Sequence, residues 1–285
     1  MKCEFEEKSY EQFHNIELLN RSRIFFPPGQ IQEHHLGIDC MLLTKNKKFW
    51  RLWGYYKWWL YPFPPPGVFL NDVFWQELKN TIDAKDFPRF KFNVFIQYKR
   101  PEYIISVRGK EYRFWKCPYF RYDILQHQQD ILIKLEQKVR DRAIVVYAAP
   151  AFHKKKDLFE YFAKRKLIEN SNYVKPSSLI GHSRWTYVNG GIVGLAFSEP
   201  KEVESISFLK EIERIKEVRY ENNSEFIMET SRILIETVGE VEYYREAFFR
   251  FLESFYIPEH PLGKALTNIY VILFLTKIRW GICYM

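Results

Sequence analysis

Two short stretches carry the side chains best suited to chemistry. "QYK", residues 97–99, ends an apolar run that begins at Phe90, and "GID", residues 37–39, sets one carboxylate near the start of an apolar stretch. Phe90, Phe92, Val94, Phe95 and Ile96 favour a strand, and in a strand residues i and i+2 share a face. Gln97 and Lys99 therefore stand side by side, an amide next to an ammonium. A centre that cleaves phosphodiesters uses such a pair, because it needs hard oxygen ligands for a divalent ion and a cation to offset charge building on the phosphorane. Asp39 would be the metal carboxylate, the Gln97 amide oxygen a neutral second ligand and the backbone carbonyl of Tyr98 a third. Lys99 would be the cation. The competing reading is the solvated face of an amphipathic strand, which Lys91 and Asn93 would extend.

The elements that must position these groups are read from periodicity and breakers. Phe13, Ile16 and Leu19, with Leu18 alongside, predict a helix over 8–20, and Pro27, Pro28 and Gly29 break the chain after it. Residues 49–69 are dense in Trp, Tyr, Phe and Pro and read as a strand or hairpin running into a loop, then a helix around "DVFWQELKNTI". After the Lys99 strand, which Pro101 ends, "YRFWKCPYFRYDIL" reads as one or two short strands. "HQQDILIKLEQKVRDR" puts Ile131, Leu132, Leu135 and Val139 on one helical face, and "AIVVYAAPAF" is a buried sheet strand. Beyond it come a helix in "KKKDLFEYFAKRKLI", a hairpin around Asn189-Gly190 and three helices within 202–256. "IYVILFL" (269–275) is a buried strand or helix segment, too short to span a bilayer, and "TKIRWGICYM" carries no readable pattern. The expected organisation is an α/β core over 1–152 with an aromatic insertion at about 45–85, and a mostly helical 153–285 packed on it.

The order helix, G-x-D strand, Q-x-K strand, helix and strand resembles the PD-(D/E)XK, or restriction-endonuclease-like, nuclease superfamily. The Q-x-K form looks like the variant of Mrr-like and phage-defence nucleases. The resemblance implies a mixed sheet flanked by helices, here with a C-terminal helical layer. It also implies Mg²⁺- or Mn²⁺-dependent endonuclease activity on DNA, in restriction or anti-phage defence. An acid upstream commonly completes such sites. Glu33 is close to the Asp39 strand, while the helical Glu17 suits the family layout, and both stay open. His127, Gln128 and Gln129 open the helix after the Lys99 strand, where superfamily members often place polar groups facing substrate. The interval from Asp39 to Gln97 requires an insertion, and Gln97 in place of an acid lowers the negative charge of the site. A degenerate nuclease fold that binds nucleic acid or assembles with other proteins is the first alternative, and a ribonuclease is the second.

Composition agrees with an anionic partner. Forty-three Lys and Arg against 35 Asp and Glu give a net charge of +8, which favours nucleic acid first and a membrane surface second. The four cysteines are scattered without a C-x-x-C pair, so no zinc knuckle or redox motif is present and a reducing cytoplasm is expected. "MKCEFEEKSYEQF" lacks the apolar stretch of a signal peptide, and no membrane association is expected. The aromatic insertion reads as an interface for a second copy of the chain or a partner defence protein, or as a stacking platform with Arg51 and Lys57 on phosphates. His34 and His35 would point oppositely on a strand. In "GHSRWTYV", Trp185 and Tyr187 pack in the core or stack on a base, and "HKKK" (153–156) is a solvated helix start or touches phosphates.

Overall fold

The computed structural model describes residues 1–25, 32–33, 37–38, 72–191, 193–215, 220–253 and 257–284. In chain order the elements are α1 (Glu7–Ser22), β1 (Ile24–Phe25), the short pair β2 (Gln32–Glu33) and β3 (Gly37–Ile38), and α2 (Asp72–Ile82). Next come β4 (Phe90–Tyr98), β5 (Glu102–Ile104), the single turn α3 (Tyr112–Trp115), β6 (Tyr119–Asp123), α4 (Gln126–Val139) and β7 (Ala143–Pro150). After these lie α5 (Lys155–Ala163), β8 (Ser171–Val174), β9 (Arg184–Tyr187), β10 (Val193–Phe197) and β11 (Lys201–Glu204). The last group is α6 (Phe208–Arg214), α7 (Asn223–Gly239), α8 (Glu242–Glu253), α9 (Pro261–Thr276) and β12 (Arg279–Tyr284).

The fold is mixed α/β with two principal sheets. The main sheet runs β1-β12-β4-β7-β8, and the second runs β11-β10-β9-β6-β5. β4 and β7 are parallel, with α4 in the crossover between them, and every other described pairing in these two sheets is antiparallel. Parallel strands covered on both faces read as nearly continuous apolar runs, which β4 and β7 are. On one face Phe95, Val145 and Trp280 lie under Leu135 of α4, Phe226 and Leu234 of α7 and Ile269 of α9. On the other, Val94, Ile96 and Val146 lie under Tyr10 and Leu18 of α1 and Leu158 of α5.

Many of the expected elements are present: α1, α2, α4 with its four apolar positions buried, β7, α5, and the β9–β10 hairpin across Asn189-Gly190. The three helices expected within 202–256 are α6, α7 and α8, and "IYVILFL" lies in a further helix, α9. Three readings change. "EVE" of the first expected C-terminal helix belongs to β11, so that helix starts at Phe208. "YRFW" is a helical turn rather than strand. "RWGICY" is β12, which sits inside the main sheet between β1 and β4. A boundary at 152 therefore divides one sheet, because β8 and β12 hydrogen-bond directly to β7 and β4. Most of the aromatic insertion, residues 45–71, lies outside the described residues.

α1 is a helix as expected, with a different buried face. Tyr10, Glu11, His14, Asn15, Glu17 and Leu18 are buried, whereas Ile16 is 39% exposed. Buried polar side chains persist where they satisfy one another. His14 bridges the hydroxyls of Tyr98 at 2.9 Å and Tyr173 at 2.5 Å, and Tyr98 donates to Asn15 Oδ1 at 2.5 Å. Burial pushes the His14 pKa down to about 3, so the imidazole is neutral at pH 7.

Candidate active site

The last residues of β4 are held by a partial ladder. Pairing with β12 ends at Ile96↔Arg279, while pairing with β7 continues to Tyr98↔Ala148, and the Lys99 N–H donates to the Ala148 carbonyl at 2.9 Å. Alternation then sorts the side chains. Tyr98 turns toward α1, to His14 and Asn15, and Gln97 and Lys99 turn toward α4. Neither is on a solvated face: Gln97 is 3% and Lys99 9% exposed. Asn93, earlier on the same face, is also buried. It accepts from Trp280 Nε1 at 2.7 Å and donates to Thr230 Oγ1 at 2.9 Å.

Lys99 Nζ donates to Gln128 Oε1 at 2.8 Å and lies 5.5 Å from the ring centroid of Tyr147. Tyr147 is the register partner of Gln97, and its hydroxyl donates to Gln129 Oε1 at 2.7 Å. The first turn of α4 thus fixes both the ammonium and the aromatic wall beside it. The Gln97 amide nitrogen donates to the Tyr98 carbonyl at 3.3 Å, the backbone oxygen expected to be a third ligand. The Gln97 amide oxygen is buried without a hydrogen-bond partner.

Charge converges on Lys99 from two elements. Burial lowers its pKa, opposed by Glu7 of α1 and Asp123 of β6. The Glu7 carboxyl is pushed up by burial, opposed by Lys99 and by the Arg100 backbone N–H. Glu11, one turn further along α1, pairs with Arg279 at 2.5 Å.

Of the expected site residues, Gln97 and Lys99 converge, with Gln128 beside them as expected for the start of α4. Glu17 does not join them. Its carboxylate accepts from the Leu167 and Ile168 N–H groups at 2.9 and 3.2 Å and pairs with Arg21 at 3.2 Å, bracing α1 against the α5–β8 connection. Glu7 is the α1 acid that faces Lys99, about 15 Å along the helix axis from Glu17 at ~1.5 Å rise per residue. An acid-rich helix start was visible in the sequence, yet no spacing tied Glu7 to a strand so distant in the chain. Asp39, His34 and His35 lie outside the described residues, and of Glu33 only the β2 backbone is described. β3, which leads to Asp39, pairs with β2, whereas the neighbours of β4 in the main sheet are β12 and β7. The G-x-D and Q-x-K strands are not the adjacent pair that the motif order suggested.

Among the described residues, no group of three or more His, Cys, Asp or Glu side chains comes together as a metal site. The unpartnered amide oxygen of Gln97 is an oxygen ligand of the type a hard divalent ion takes. Trp185 and Tyr187 are fully buried, their polar atoms bonded to Asn172 and to the Pro150 carbonyl, so they pack the core. Lys154, Lys155 and Lys156 are exposed at the start of α5. No described helix is long and apolar enough to cross a membrane. No protein-family model matches the chain, and neither a curated protein nor a solved structure matches it.

Proposed function

We propose that this protein is a metal-dependent endonuclease acting on DNA, with a restriction-endonuclease-like core built around β4, α4 and β7. The observation that carries the reading is the buried, unpartnered Gln97 oxygen beside a buried Lys99. An orphaned buried acceptor costs about 1–3 kcal/mol, and a cation ligand would satisfy it. Gln97 Oε1 would be one ligand of Mg²⁺ or Mn²⁺, with Asp39 and Glu33 as its carboxylates on the strength of the motif resemblance alone, and the ion would supply polarisation of a scissile phosphate and activation of water. Lys99 offsets negative charge at that phosphate, most strongly where water is excluded. Gln128 aims the ammonium, and the carboxylate of Glu7 favours its charged form. The positive net charge supports a polyanionic substrate. A restriction or anti-phage role, and assembly with a second copy or a partner protein through the aromatic insertion, rest on the family resemblance and the aromatic density of that segment.

The direct test is incubation with plasmid, single-stranded DNA and RNA, each with Mg²⁺, Mn²⁺ or EDTA. Cleavage of DNA that EDTA abolishes supports the proposal, and preferential cleavage of RNA converts it to the ribonuclease alternative. Absence of three convergent metal-binding side chains among the described residues favours a second reading, a nucleic-acid-binding protein with a degenerate nuclease fold. Calorimetric titration of Mn²⁺ separates the two. Gln97→Glu should bind the ion as tightly or more tightly and Gln97→Ala more weakly; equal affinities across the wild type and both variants would remove Gln97 from the site.

A further inference from the structure

The hairpin that leaves β4 just after Lys99 carries an unusual tip. Residues 105–118, "ISVRGKEYRFWKCP", join β5 to β6. Ile105 is 61% and Val107 72% exposed, and the same segment carries the exposed cations Arg108, Lys110, Arg113 and Lys116. The one carboxylate of the segment, Glu111, is turned inward. It accepts from Tyr119 Oη at 2.8 Å and from Arg184 and Arg121 at 2.8 and 3.4 Å. The exposed side chains of residues 105–118 therefore include four cations and two aliphatic groups, and the segment's own acid is turned away from them.

This tip is also well anchored. Arg184 reaches on to Asp123 at 2.8 Å, Trp115 Nε1 donates to Thr186 Oγ1 at 3.0 Å, and Phe114 packs on Phe197 with centroids 5.5 Å apart. A Cβ at Gly109 would come within 2.8 Å of both Ile104 Cγ2 and Tyr119 Oη, so the close return of the turn requires glycine. Buried polar groups hold an exposed aliphatic pair in place, an arrangement that burial alone does not favour. The base of the hairpin lies beside the candidate site, since Glu102, three residues beyond Lys99, pairs in register with Arg121 of β6. Ile105 is six residues beyond Lys99, a reach of at most about 20 Å at ~3.3 Å per residue.

We propose that this tip is a docking element for duplex DNA, its four cations contacting phosphates while Ile105 and Val107 enter a groove against base edges or a base step. Charge complementarity with the phosphate backbone supports this occupant, and insertion of aliphatic wedges flanked by cations is a known physical solution for gripping and kinking a duplex. The inference rests on reading Lys99 as the group that faces the scissile phosphate, because a duplex placed there extends within reach of the tip.

The experiment uses the full chain and a fluorescent 30-base-pair duplex, read by anisotropy from low to moderate salt, with cleavage kinetics in parallel. In the quadruple variant Arg108→Gln, Lys110→Gln, Arg113→Gln, Lys116→Gln, affinity should fall ~10-fold or more and the salt slope should drop by about 3–4, at ~0.9 per phosphate contact. KM should rise while kcat at saturating DNA is unchanged. Ile105→Ser with Val107→Ser should weaken binding at an unchanged salt slope. Unfolding midpoints equal to wild type show that each surface variant is folded. Wild-type affinity and slope in the quadruple variant overturn the docking proposal, and Lys99-dependent cleavage would still stand. Weaker binding by the quadruple variant, beside a wild type that binds DNA but cleaves nothing, retains the docking element and removes the nuclease reading.

Discussion

The two faces of the main sheet solve burial in different ways. Beneath α4, α7 and α9 the sheet is covered mainly by aliphatic and aromatic side chains, Leu135, Leu234 and Ile269 among them, with Asn93 bonded to Thr230 and Trp280 as a polar inclusion. Beneath α1 the same sheet meets Tyr10, His14 and Asn15 as well as apolar groups, and each of the three is bonded to a partner far away in the chain. The apolar face tolerates adjustment, because hydrophobic contacts are non-directional. The polar face permits few alternatives, because each donor needs its own acceptor. The candidate site lies where the two meet, at the end of β4. Gln97 and Lys99 point toward α4, and Glu7, on the helix of the other side, acts electrostatically on Lys99.

This contrast can be broken by experiment. The largest expected effect is on the apolar face: Leu135→Ala should cost about 2–5 kcal/mol of stability, read by urea unfolding, because it removes fully buried methyl groups. At the junction, Lys99→Ala should slow DNA cleavage about 10²-fold or more, or ~2.7 kcal/mol at the transition state, and Asp39→Ala, which removes the proposed metal carboxylate, should do the same, with unfolding midpoints showing that each variant is folded. Wild-type rates in either variant would dissolve the site assignment.

The polar face should show itself through pH. His14 titrates at an ordinary value near 6.5 when unfolded and at about 3 when folded. As pH falls from 6.5 toward 3, the unfolded chain takes up a proton that the folded protein refuses, so stability declines. The slope approaches about 1.4 kcal/mol per pH unit, or ~2 kcal/mol by pH 5. His14→Gln should flatten this component, and an unchanged pH profile would show that His14 does not carry it. The smallest expected effect is at Glu17. Glu17→Gln should cost about 1 kcal/mol, by weakening its bonds to the Leu167 and Ile168 amides, and should leave cleavage unchanged. A large loss of activity would return Glu17 to the site.

Legibility followed the same division. α4, β7 and the Asn189-Gly190 hairpin were readable because periodicity and turn chemistry report apolar burial directly. The buried face of α1 was not, since a stripe of Tyr, His, Asn and Glu resembles a solvated surface until its partners are known. Gln97 and Lys99 were readable as a pair because i, i+2 geometry is local, and Gln128 because it opens the next helix. Glu7 was not, as its approach to Lys99 depends on tertiary packing. β12 had a period-two signal in Ile278, Trp280 and Ile282, all buried on one face. Arg279 and Gly281 between them obscured it, and the Glu11 pairing that satisfies Arg279 lies at the opposite end of the sequence.

The position of β12 has a consequence for how the protein is made. β4 pairs with β12 at Ile96↔Arg279, with more than half of the chain between those residues. During synthesis β4 and β7 can form their parallel pair early, yet one long edge of β4 stays open until β12 emerges. An open apolar edge is a template for pairing with the wrong strand, and such long-range closure is slow. A nascent chain stalled before residue 279 would hold α4, β7 and the residues of the candidate site, but with β4 open on the flank that β12 covers.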